Sequence, residues 1–145
     1  MATQRKASAT WEGGLVDGKG VVTLESSGLG SFDVSWPART EQPGGLTSPE
    51  ELVAAAHASC YSMALSHAIG NAGGTPQRLD TSATVTFGQV EGGFGVTKIE
   101  LAVRGQVKGM DEQGFLEAAN TAKDGCPISQ LVRGNTEITL DAALA

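Results

Sequence analysis

Apolar and polar positions alternate in short, glycine-punctuated runs over the N-terminal part of the chain. Ala7 to Trp11 predicts one strand. Gly18-Lys19-Gly20 turns the chain into Val21-Val22-Thr23-Leu24, whose β-branched residues suit a second. In a third, Ser31 to Trp36, Phe32, Val34 and Trp36 alternate with polar neighbours. Pro37 ends that strand, which places Arg39 at its end, and Pro43-Gly44-Gly45 is a loop.

The pattern then changes to helix. Ser48 suits an N-cap, Pro49 the first helical position, and Glu51 completes a capping box. The helix predicted from Pro49 to about Ile69, before the stop signal Gly70, carries small and apolar residues on nearly every side. Such a helix is buried. One small domain scarcely covers it, so a second subunit is expected to help.

Alternation returns at Leu79, Thr81, Ala83, Val85 and Phe87, followed by a turn at Glu91-Gly92-Gly93. A long return strand from Phe94 to Val107 places Ile99, Leu101 and Val103 on one face. A second helix, about Asp111 to Lys123, turns Phe115, Leu116, Ala119 and Ala122 inward and stops at Gly125. Cys126-Pro127 opens a short helical turn ending near Gly134, and Thr136 to Ala143 closes the chain as a strand. Strands grouped apart from helices predict an α+β fold with antiparallel sheets. No repeat or linker interrupts it, so residues 1–145 read as one domain, long enough to bury about two-thirds of its unfolded surface.

Composition narrows the function. Ten Lys and Arg against sixteen Asp and Glu give a net charge of −6, which repels nucleic acid and anionic membranes alike. No apolar run is long enough to span a bilayer, and the charged start leads into no secretory signal, so a cytoplasmic protein is expected. There thiols are kept reduced, and a disulfide between Cys60 and Cys126 suits a reversible catalytic use better than a structural one.

Each candidate residue has a plain alternative reading. Cys60, inside the apolar helix, is a small hydrophobe or a reactive thiol. Cys126 is a silent N-cap or a thiolate favoured by the amides of a helix start. His57, Cys60 and His67 share one helical stripe but lack a fourth ligand, so no metal is expected, and His57 reads as a satisfied core or interface histidine. Glu51 is explained by capping. Glu50 is not, and it lies about 15 Å along the helix from Cys60, so only a long bridging side chain such as Arg39 could link them. Alone, Arg39 reads as a solvated charge.

Taken together, Trp11-Glu12-Gly13, Ser48-Pro49-Glu50-Glu51-Leu52, Ala55-His57-Ala58-Ser59-Cys60, Thr97-Lys98-Ile99 and Gly125-Cys126-Pro127-Ile128-Ser129 resemble the OsmC/Ohr family over nearly the whole chain. An arginine shortly before the long helix resembles the OsmC branch; Ser48 and Tyr61 stand where Asn and Phe are common in the family. The resemblance implies an intertwined homodimer with a long central helix against a sheet. It also implies a thiol-dependent peroxidase for organic hydroperoxides, needing no metal, haem or flavin but an external dithiol reductant. By that resemblance Cys60 is the peroxidatic cysteine, Cys126 the resolving one, Arg39 the cation beside the thiolate and Glu50 the carboxylate holding it. Helix-end electrostatics alone favour Cys126 as the reactive thiol. Met63, Phe115 and Leu52 are expected to line the peroxide pocket. The rival readings are a non-catalytic dimer with incidental cysteines and a disulfide reductase without peroxide activity.

Overall fold

The computed structural model describes residues 1–145 and divides into two compact units, Met1–Leu52 and Val53–Ala145. The first holds a three-stranded antiparallel sheet of β1 (Ser8–Glu12), β2 (Lys19–Thr23) and β3 (Ser31–Val34), with β2 central. Gly20 is the buried residue of β2. A Cβ there would lie 2.6 Å from the Trp11 ring and 3.0 Å from Val34, so only glycine lets the indole lie across the sheet.

The third strand stops at Val34, not at Pro37: Trp36 and Pro37, expected at the strand's end and just past it, already belong to a helix. Ser35 caps α1 (Trp36–Thr40) by accepting the Ala38 amide at 3.1 Å, with Pro37 in the first turn, where its missing N–H costs nothing. Arg39 therefore sits in the last turn of a helix, not at a strand end.

The long helix α2 (Pro49–Asn71) starts where expected and runs two residues further. The Glu51 amide donates to Ser48 Oγ at 3.1 Å, but the Glu51 carboxylate accepts from the Thr47 hydroxyl at 2.6 Å, so half of the capping box forms. Within the second unit α2 is not buried on all sides. His57, Tyr61, Leu65 and Ile69 face the core, while Ala55, Ala56, Ser59, Met63 and Ser66 are exposed.

The second sheet is β4 (Thr75–Val90), β5 (Gly93–Lys108) and β6 (Glu137–Leu144), with β5 central. The β4–β5 hairpin is antiparallel, as expected; β6 lies parallel to β5. The chain reaches β6 through α3 (Glu112–Gly125), capped by Asp111, and α4 (Pro127–Val132), long enough a connection to reverse its direction. The core joins Ile99, Leu101 and Val103 of β5 to Tyr61, Leu65 and Ile69 of α2 and to Phe115, Ala118, Ala119 and Ala122 of α3. Ala118 occupies the inward place expected of Leu116, which is partly buried. No helix is long and apolar enough to cross a membrane.

Candidate active site

Two side-chain constellations carry the candidate chemistry, each within one unit. In the second unit, Cys60 on α2 and Cys126 at the α3–α4 junction are both free thiols, with their sulfurs 3.1 Å apart. A disulfide needs about 2.05 Å, so closing by about 1 Å would bond them. The Tyr61 hydroxyl donates to the Ala119 carbonyl at 3.0 Å and ties α2 to α3 beside this pair. Cys126 is fully buried, and its amide donates to Ala122 at 2.9 Å, which ends α3 on this residue.

Burial pushes the Cys60 thiol above its ordinary range, and the Cys126 thiol beside it adds to the rise. The backbone amide of Ile128 opposes both by hydrogen-bonding Cys60. Cys126 occupies the N-cap of α4 without making a side-chain capping bond. An amide of the first turn of α4 thus serves Cys60, across the gap, and not the cysteine that starts the helix.

In the first unit, the Thr47 amide donates to the Asp33 carbonyl at 3.3 Å and anchors the start of α2 beside β3. This folds Glu50 back onto α1. Arg39 Nε donates to Glu50 Oε1 at 3.0 Å, and Nη2 donates to Oε2 at 2.8 Å, in a two-pronged bridge. Glu50 is buried and the guanidinium partly so, packed 6.0 Å from the Trp36 ring centre. A cleft of about 380 Å³ opens beside it, lined by Trp11, Leu15, Val34, Trp36, Arg39 and Pro49.

Leu52, Met63 and Phe115, the residues expected to line a peroxide pocket, are not part of that cleft. Phe115 is sealed in the core and Met63 points outward, so the two cannot share a pocket. A cavity of about 780 Å³ in the second unit, along Ala64, Ala68, Met110 and Ala122, includes neither cysteine. Of the histidine stripe, His57 is buried against Ser129 whereas His67 is exposed and bonded to Asn71, so the two do not converge on Cys60 as ligands. Trp36 and Leu15 were not singled out as site residues; Trp36 sits three residues before the arginine.

A family model for OsmC-like protein matches residues 42–141. The chain belongs to the OsmC-like family. It is 44% identical to Peroxiredoxin OsmC of Escherichia coli (strain K12), over 99% of both chains. It is 30% identical to the organic hydroperoxide resistance protein of Xanthomonas axonopodis pv. citri, over 99% of this chain and 100% of the relative. OhrB of Bacillus subtilis superposes with a TM-score of 0.75 at 29% identity, covering 94% of this chain and 97% of that one. An organic hydroperoxide resistance protein from Elizabethkingia anophelis gives 0.76 at 29% identity, with both chains fully covered. In this OsmC-like chain the close thiol pair is the feature on which redox chemistry can act.

Proposed function

We infer that this protein is a cysteine-based peroxidase that reduces organic hydroperoxides to alcohols, with residues 1–145 acting as one functional domain. The observation that carries the reading is the 3.1 Å approach of two free thiols brought together from distant parts of an OsmC-like chain. Its relatives named for peroxide reduction and organic hydroperoxide resistance support the substrate class.

The Cys60 thiolate attacks the terminal oxygen of ROOH. The O–O bond breaks, Cys60 becomes the sulfenic acid, and the departing alkoxide takes a proton to leave as ROH. Cys126 sulfur then attacks the sulfenic sulfur, the S–S bond forms and water leaves. An external dithiol reduces that disulfide and is itself oxidised to a disulfide.

Only the thiolate attacks, and Cys60's own surroundings disfavour it. Arg39 is the residue that reverses this in the working enzyme. A guanidinium about 4 Å from a thiolate contributes about 4 kcal/mol at an effective dielectric of 20, or about a thousandfold in ionisation. Glu50 fixes the Nε–Nη2 edge of that guanidinium and offsets the cost of its partial burial. The apolar cleft beside Arg39 suits the organic part of the peroxide. The working form is a homodimer in the cytoplasm, and no nucleic acid or membrane takes part.

Cys60→Ser is expected to abolish consumption of cumene hydroperoxide. Cys126→Ser is expected to give one turnover and a sulfenic acid trapped by dimedone. Mass spectrometry of the wild type after one equivalent of peroxide should show loss of two hydrogens and one linked Cys60–Cys126 peptide pair. Normal turnover by Cys60→Ser would overturn the assignment.

A further inference from the structure

The peroxide chemistry leaves one buried polar pair unused. His57 Nε2 and Ser129 Oγ lie 2.8 Å apart, and both residues are sealed from solvent. His57 precedes Cys60 by three residues on α2, and Ser129 follows Cys126 by three in the first turn of α4. Residues three apart on a helix are neighbours on its surface. The polar pair and the sulfur pair are therefore two adjacent rungs between the same two segments.

The direction of the hydrogen bond follows from what is left over. His57 Nδ1 is buried with no hydrogen-bond partner. An orphaned buried N–H is rarer than an orphaned acceptor, so the proton belongs on Nε2 and the imidazole donates to Ser129 Oγ. Removing either partner leaves the other buried and unpaired, which makes the bond costly to break. The segment it holds needs such a tie, because α4 is short and its N-cap residue makes no side-chain cap.

We propose that the His57–Ser129 hydrogen bond is a positioning clamp that pins the first turn of α4 to α2 and so keeps Cys126 within bonding reach of Cys60. The catalytic consequence rests on the reading of Cys126 as the resolving thiol. The clamp itself does not, since it acts on any reaction that joins the two sulfurs. Neither residue touches the peroxide. Loss of the clamp lets α4 drift in the reduced protein, whereas the disulfide form must still dock it. Disulfide formation is therefore disfavoured, and attack of Cys60 on peroxide is slowed only as far as the Ile128 amide leaves its sulfur.

Two measurements test this on the full-length protein. In the first, the reduced protein is equilibrated with glutathione buffers, in which oxidised glutathione takes two electrons from the thiol pair and leaves as two reduced glutathiones. Ser129→Ala is expected to lower the equilibrium constant for the Cys60–Cys126 disulfide at least fivefold. The double variant His57→Leu/Ser129→Ala, which leaves no polar group unpaired, is expected to do the same and serves if the single variant does not fold. His57→Gln keeps an N–H donor at similar reach and is expected to stay within fivefold of wild type. A merely structural bond lowers thermal stability without moving this equilibrium, and a fall of less than fivefold in both disrupting variants overturns the clamp. In the second, one equivalent of cumene hydroperoxide is added and dimedone-trappable sulfenic acid is followed. Its lifetime is expected to lengthen at least fivefold in Ser129→Ala; an unchanged lifetime counts against the clamp. A wild type that forms no disulfide with peroxide sinks the peroxidase reading, and the glutathione equilibrium then decides the clamp alone.

Discussion

The Cys60 sulfur stands under opposed influences. Burial and the neighbouring thiol hold its proton on; the Ile128 amide favours its loss. The sign of the Arg39 effect follows. If the guanidinium supplies the missing stabilisation, removing it returns Cys60 to the value set by its own surroundings, above the ordinary thiol range. Arg39→Ala is thus expected to shift the ascending limb of kcat/KM against pH to higher pH. At pH 7 it should lower kcat/KM by about a hundredfold or more, most of which is regained as the pH is raised. Glu50→Gln, which keeps the shape but not the charge, should give a smaller shift in the same direction. A limb that stays in place while the rate falls would make Arg39 a substrate-binding residue instead. At this scale the residue types alone left Cys60 and Cys126 open between packing and reactivity and read Arg39 as a solvated charge; the family resemblance gave the four their expected roles, and the structure pairs thiol with thiol and Arg39 with Glu50. Their surroundings were less legible still. The helix-end argument had the right source of stabilisation but the wrong recipient, since the recipient is set by how α4 docks and not by sequence neighbours.

Secondary elements carry a different kind of information. The capped start of α2 was readable because Ser48 and Pro49 act on the adjacent backbone. Helix α1 was missed because five residues make too short a helix for periodicity to show, although Ser35 before Pro37 is a cap-and-proline signal that could have been read. The parallel pairing of β6 was equally hidden, because alternation says which face a side chain takes and nothing about the direction of the partner strand. Where elements cross, one glycine is decisive. A Cβ on Gly105 of β5 would meet the buried Phe115 ring of α3 at 2.6 and 2.8 Å, and the core around that ring is closed. Gly105→Ala is expected to destabilise the protein by about 1–3 kcal/mol through overpacking. The check is a lower denaturant midpoint at unchanged slope. Adding Phe115→Leu, which shortens the opposing side chain, should recover part of the loss; an unchanged midpoint in Gly105→Ala would mean that α3 gives way freely.

For the molecule as a whole, the question is what covers the outer side of α2. Ala55, Ala56, Ser59 and Ser66 are small enough to let a second helix come close, and Met63, 70% exposed, supplies an adaptable apolar side chain among them. The near-absence of charge on this stripe is what led the sequence to predict a covered helix, and the chain by itself leaves it open. In the proposed homodimer the same stripe meets its own copy, as a two-fold interface requires. Each chain carries −6, so association works against mutual repulsion that salt screens. The protein is therefore expected to sediment at twice its chain mass, with the dimer tightening as ionic strength rises. Met63→Lys places a charge on the stripe without touching either the thiol pair or the Arg39–Glu50 bridge. It should shift the population toward monomer with helical circular dichroism retained, and peroxide turnover should fall in step with the dimer fraction. A wild type that sediments as a monomer at micromolar concentration with full turnover would show that the stripe is left bare and that one chain suffices for the chemistry.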